Sequence, residues 1–257
     1  MSTEPVAALD TRVLSREAIR SATRSRGWSD GWFFFWFAWL IAAVVAYGFA
    51  HTISENLLRA AIPRPTILWV HASVFFCWIG LFILQTTLIR FRRVRWHRRF
   101  GAAFLVLGAL MPLIGIATAL AMARFDVAHG LRDSVFMAAH LSIPFNDMIF
   151  FSSVLAAAAW WRKRPDAHRR LMLTATCLLT AAAFPRFPFI TIQPLRWYGG
   201  VDVLLLLAVA HDMVVHRRVH AAYTISLPPV LIGQIVAMWL FLARPHWWVD
   251  FAQRLID

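Results

Sequence analysis

Four histidines fall into two matched pairs along an otherwise apolar chain. His71 precedes His140 by 69 residues, and His97 precedes His168 by 71. His71 and His140 each lie five or six residues into a hydrophobic stretch. His97 and His168 open the next ones, in the strings Arg95-Trp96-His97-Arg98-Arg99-Phe100 and Asp166-Ala167-His168-Arg169-Arg170-Leu171. Neutral imidazole nitrogens are metal ligands, and two facing imidazoles can take both axial positions of a haem iron. Two pairs, one near each end of a duplicated helix pair, would hold two such groups.

The elements that must position these side chains are membrane helices. Of the 257 residues, 60% are hydrophobic and 14% aromatic, above the roughly half expected of a soluble domain. Seven stretches approach the roughly 20 apolar residues that a crossing needs: 32–50, 66–89, 100–123, 134–161, 171–192, 199–215 and 223–243. Hydrocarbon offers no partners to backbone groups, so these spans are predicted as helices. The expected fold class is all-α: an integral membrane protein of about seven transmembrane helices around a central four-helix bundle. Residues 1–31 form a polar N-terminal segment, 32–243 the membrane domain with its core at 66–192, and 244–257 a short external tail, predicted as a surface helix. Arg12, Arg16, Arg20 and Arg24 recur at steps of four, which suits a short amphipathic helix on a membrane surface or an irregular tail.

The net charge of +13 raises the question of nucleic acid, but its distribution points to lipid. Lys and Arg on alternate sides of the predicted spans number 18 and eight. The richer side is expected to be cytoplasmic, which puts the N-terminus inside and the C-terminus in the periplasm of a bacterial inner membrane. The basic loops then face anionic headgroups. Trp28, Trp32, Trp36, Trp39, Trp160, Trp161, Trp247 and Trp248 read as interfacial anchors. Cys77 and Cys177 sit inside spans and predict no disulfide framework.

Residues seven and eighteen apart share a helical face. His71, Trp78 and Gln85 form one such stripe, and His140 and Asp147 another. Gly101, Gly108 and Gly115 follow His97 on its own face, where they offer either close helix packing or a flat slot. Met172, Leu179 and Arg186 follow His168. Polar and small residues therefore point the same way as the histidines, toward an interior. Asp147 lies mid-span, where a carboxylate is costly and a functional candidate by default. Its expected roles are an ion pair with Arg186, a proton relay, or a protonated acid. Asp202 is a second buried candidate or a helix cap, and Asp212 a local partner of His216.

This four-histidine pattern resembles the transmembrane di-haem superfamily of cytochrome b561 and the ferric reductases, over about residues 66–192. It is also similar to bacterial multi-pass proteins that share the string His168 to Met172. The resemblance implies one or two haem b groups: His71 with His140 near the outer face, His97 with His168 near the inner one. Arg186 would meet propionates outside, and Arg98, Arg99, Arg169 or Arg170 inside. It implies electron transfer across or within the membrane, with a quinol or small redox molecule as donor or acceptor. The chain departs from the pattern in placing His97 and His168 at the polar boundary, and in carrying no flavin or nicotinamide domain. Two other expectations stand beside this one. One is a proton-coupled transporter built on Asp147, Arg186 and Asp202, and the other a non-catalytic membrane scaffold.

Overall fold

A computed structural model describes residues 31–54, 58–192 and 196–257. The expected amphipathic segment at the N-terminus falls outside the described residues. Helices α1 (Gly31–Ala50), α2 (Thr66–Arg90), α3 (Val94–Ala128), α4 (Ser134–His140), α5 (Ser142–Trp160), α6 (Pro165–Leu178), α7 (Gly199–His216), α8 (Ala221–Ala243) and α9 (His246–Ile256) follow one another, with no strand among the described residues. Six segments are long and apolar enough to cross a membrane: α1, α2, α3, α4 with α5, α7 and α8. Their outward faces carry side chains such as Val214, 74% exposed, and Leu113 and Ile235, both 68%. Large exposed apolar faces of this kind are stable against lipid rather than water.

Local chemistry sets the boundaries. α2 starts after Pro63 and Pro65, and it ends where Arg92 adopts a left-handed φ of 59° and turns the chain into α3. Asp133 caps α4 by accepting from the Phe136 N–H at 2.8 Å. The break between α4 and α5 falls at His140–Leu141, four residues before Pro144. A proline ring crowds the carbonyl at i−4 and has no N–H to give it, so Pro144 accounts for the break at His140.

The expected fifth span, 171–192, takes a different form. The α-helix runs only from Pro165 to Leu178, followed by 3-10 turns at Leu179–Ala182 and Phe184–Arg186. Pro185 and Pro188 stop regular winding. Residues Arg170 to Leu178 are all buried, so α6 is a core helix wrapped by its neighbours. Its alternating Thr and Ala positions suit that place, because each of Thr174 and Thr176 returns its hydroxyl to the carbonyl four residues back.

Trp78 is the meeting point of α2, α3, α5 and α6. Its fully buried ring lies 4.0 Å from the Phe104 ring centre and 5.2 Å from that of Phe151, and its Nε1 donates to Thr176 Oγ1 at 3.3 Å. A second cluster joins α9 to α4 through Trp248, Val249, Ala252 and Ile256. Arg124 of α3 closes the end of α9 by donating to the carbonyls of Leu255 and Ile256, both at 2.8 Å. The expected tail helix is therefore packed onto the protein.

A buried ion pair fixes α6 against α7 and α8. Arg170 is 2% exposed and Asp212 1%. Arg170 Nε donates to Asp212 Oδ2 at 2.8 Å and Nη2 to Oδ1 at 2.6 Å, while Nη1 donates to the Asp166 carbonyl at 3.0 Å. Asp212 Oδ2 also accepts from the His220 N–H at 3.2 Å. The expected local pairing of Asp212 with His216 gives way to this long-range one, since a bidentate guanidinium satisfies a buried carboxylate more fully than an imidazole. His220 Nδ1 in turn caps α8 by accepting from the Ala222 N–H at 3.0 Å.

Removing one partner of a buried pair strands the other charge, at about 3–5 kcal/mol. Asp212→Ala should therefore lower the thermal unfolding midpoint in detergent sharply, and the double variant Arg170→Met/Asp212→Leu should recover part of the loss. Equal damage in both variants would show that the pair is not a unit. Burial, chiefly, and then Arg170 push the His220 pKa below 6.5. Its neutral form is thus favoured in the fold, so its contribution is complete above pH 6.5 and declines as pH falls through the range below that value. His220→Asn keeps a capping side chain without titrating, and its stability should fall less between pH 7 and pH 5 in parallel melts.

Candidate functional site

Of the two expected histidine pairs, one is assembled. His97, in the first turn of α3, and His168, in the first turn of α6, face each other with ring centres 6.5 Å apart and planes at 74°. No hydrogen bond joins the two rings. His168 Nδ1 donates to the Ala158 carbonyl of α5 at 2.8 Å, which puts the ring proton on Nδ1 and leaves Nε2 as a lone-pair donor. A carbonyl that accepts from one ring nitrogen of a ligand histidine is the usual companion of metal binding at the other.

Gln85 of α2, 5% exposed, completes this group. In the orientation that satisfies both ends of its amide, the nitrogen donates to the His97 carbonyl at 3.2 Å and to its Nδ1, and the oxygen accepts from the Gly101 N–H at 3.3 Å. His97 then carries its own proton on Nε2. Ligation through Nε2 would require the amide to turn over, so that its oxygen accepts from Nδ1–H. A Cβ built on Gly101, one turn after His97, meets nothing within 4 Å, so open space lies at that position.

His71 and His140 are not brought together. The His71 ring stacks on Phe75 at 4.0 Å, and its Nδ1 is buried with no hydrogen-bond partner among the described residues. It lines a cavity of about 150 Å³ with Phe49, Phe76, Ile79, Leu179 and Arg186. His140 turns instead toward Trp197 at 5.2 Å and Phe241 of α8 at 5.9 Å. Pro144 contributes to this separation by breaking the helix at His140. The pair at the polar edge thus has a facing geometry, and the pair inside the apolar slab does not. Among the described residues, no group of three or more His, Cys, Asp or Glu side chains is placed to hold a metal ion.

The glycine stripe divides. A Cβ on Gly108 would lie 2.6 Å from Trp78 and Leu155 side-chain atoms, and one on Gly115 would lie 2.6 Å from Met148 Sδ. These two glycines serve close packing, and the space that a flat group would need along them is filled. Only Gly101 borders open space.

Asp147 and Arg186 do not pair. Asp147 Oδ1 accepts from the Tyr198 hydroxyl at 2.9 Å, and that hydroxyl accepts from Asn146 Nδ2 at 3.1 Å. Asp202 of α7 and Gln234 of α8 lie nearby with buried polar atoms that interact with each other. Arg186 is engaged elsewhere: Nε donates to Thr52 Oγ1 at 3.1 Å, Nη1 to the Ala182 carbonyl, and its guanidinium sits 4.3 Å from the Phe49 ring centre. The separation arises because Pro185 and Pro188 unwind the chain and carry Arg186 toward the α1–α2 connection. Of the four arginines expected near the inner pair, Arg170 is committed to Asp212 and Arg169 contacts Asp166 at 2.5 Å.

Sequence reasoning missed the Arg170–Asp212 pair and the Tyr198–Asp147 bond. Both join residues far apart in the chain, 42 and 51 positions, and neither has a periodic signature. The only signal was cost: a charge inside an apolar run needs a partner.

Tyr198→Phe removes the donor to Asp147 and should destabilise the protein by about 1–3 kcal/mol, read as a drop in the detergent melting midpoint. Asp147→Asn, which leaves an amide able to bond the same hydroxyl, should cost less. The reverse order would show that the hydroxyl is not supporting a carboxylate.

Compared with known proteins, the chain matches no family model, no curated protein and no solved structure.

Proposed function

We propose that the chain is a membrane-embedded b-type cytochrome, with His97 and His168 as axial ligands of a haem near the cytoplasmic face. The observation that carries this reading is the facing geometry of the two rings. Two imidazoles bound through nitrogen at about 2 Å to one metal stand with ring centres about 6 Å apart, and the observed separation is 6.5 Å. The His168 Nδ1 bond to Ala158 and the open space at Gly101 support it. Such a haem, when bound, would supply one-electron exchange.

The chain's own residues would orient and insulate the group. Ala158 fixes the His168 ring, and the Arg170–Asp212 pair holds the helix from which His168 projects. With its amide turned over so that the oxygen accepts from Nδ1–H, Gln85 would set the His97 tautomer for ligation through Nε2, and Arg98 and Arg99 lie on the same turns for propionate pairing. Trp78, Phe104 and Phe151 fill the interior above with low-dielectric packing. In this reading α6 with its 3-10 turns counts as a seventh crossing, and α2, α3, α5 and α6 form the central bundle. The N-terminus faces the cytoplasm of a bacterial cell. A second haem at the outer pair would require α4 to bring His140 toward His71. A quinol or small redox molecule is the electron partner.

A second reading draws on a separate observation. The buried group Asn146, Asp147, Tyr198, Asp202 and Gln234 is more polar than packing requires, which suits a proton-coupled transporter. That reading requires no haem and a transport defect in Asp147→Asn.

The test is the visible spectrum of protein purified in mild detergent, oxidised and dithionite-reduced, with haem counted per chain. One b-type haem that His97→Ala and His168→Ala abolish, and His71→Ala retains, is the expected result. A second haem lost in His71→Ala and His140→Ala would extend it to the outer pair. A featureless spectrum from correctly folded protein expressed with added haem would overturn it.

A further inference from the structure

Three arginines from separate parts of the chain line a single cavity. Arg132 precedes α4, Arg186 ends the second 3-10 turn, and Arg196 precedes α7; together with Thr52 and Thr191 they border a space of about 460 Å³. None of the three forms an ion pair with a carboxylate among the described residues. Arg186 spends Nε and Nη1 on Thr52 and Ala182, and Arg196 spends Nε on the Pro185 carbonyl at 3.0 Å. Arg132 rests on the Phe136 ring, with 5.4 Å to its centre. Among the described residues, the terminal nitrogens that remain on all three have no protein acceptor. Like charges gathered in one concavity repel one another, and an anion between them would relieve that repulsion. Guanidinium forks suit the paired oxygens of phosphate or carboxylate.

The cavity has an apolar neighbour. Thr52 and Arg186 also line the 150 Å³ space bounded by Phe49, Phe75, Phe76 and Leu179. A cationic chamber thus adjoins an apolar one, with Arg186 belonging to both. A bare inorganic anion would use the first chamber and leave the second unfilled.

We infer that this is a binding site for an amphiphilic oxyanion, a phosphate- or carboxylate-bearing molecule whose head lies among Arg132, Arg186 and Arg196 and whose apolar part enters the neighbouring cavity. Two sources share that chemistry: an anionic phospholipid of the surrounding bilayer, and a free amphiphilic anion. The inference is independent of haem binding and survives its failure.

Decyl phosphate, inorganic phosphate and decyl maltoside are titrated against the purified chain in a neutral detergent, with the melting midpoint as readout. The double variant Arg132→Gln/Arg196→Gln is the control, since both residues are exposed and their loss should leave the fold intact. The expected result is a saturable upward shift with decyl phosphate, with a half-maximal concentration raised about tenfold or more in the variant. Decyl maltoside should give no saturable shift, and inorganic phosphate a weaker response. Equal responses of the two proteins to decyl phosphate would overturn the site, and equal responses to the two phosphates would overturn its apolar half. Native mass spectrometry separates the sources. Anionic phospholipid retained by the parent chain and lost from the variant marks the bilayer as supplier. Decyl phosphate binding with no retained lipid marks a free amphiphile.

Discussion

Two charges sealed inside an apolar molecule hold α6 in place. Arg170 and Asp212 are almost fully buried and meet through two parallel hydrogen bonds, with the Asp166 carbonyl and the His220 N–H taking further positions. In a low-dielectric interior neither charge is tolerable alone, and the pair is acceptable because nearly every donor and acceptor is used. The geometry this demands is narrow. It sets the rotation of α6 about its axis and ties the start of α6 to the end of α7 and the turn into α8.

The rest of the candidate chemistry follows from that placement. His168 lies two positions before Arg170, so the bond that fixes Arg170 also fixes the direction in which His168 projects, toward His97 and Gln85. Farther along α6, Thr176 meets Trp78, the ring about which four helices pack. Beyond it, the proline-rich turns release Arg186 into the cavity it shares with Arg132 and Arg196. One buried element therefore links a histidine pair at one end to a cationic chamber at the other. Its burial also accounts for its sequence, since small residues and threonines that bond their own backbone can be enclosed on all sides.

Much of this was legible in the residues. Apolar runs marked the six helical segments long and apolar enough to cross a membrane, because a helix in lipid must be apolar along its length whatever it packs against. Helical spacing put Trp78 and Gln85 on an inward face, and both are buried. The matched spacing of His97 and His168 picked out two rings that do face each other. The same logic applied to His71 and His140 does not produce a contact, since spacing reports depth along a helix and says little about rotation after a proline break. The glycine stripe was ambiguous for a similar reason: one pattern serves close packing at Gly108 and Gly115 and open space at Gly101.

The sequence by itself determined which segments are helical, which of their faces are polar, and where along each helix the histidines and acids lie. These depend on local periodicity and on the cost of exposing backbone to lipid. Only the tertiary structure decided that the fifth apolar stretch is an enclosed core helix, that Asp212 belongs to Arg170 and Asp147 to Tyr198, and that three distant arginines share a cavity. Partner choice among buried charges depends on which helices become neighbours and how each is rotated, and both are set by side-chain packing summed over the whole molecule.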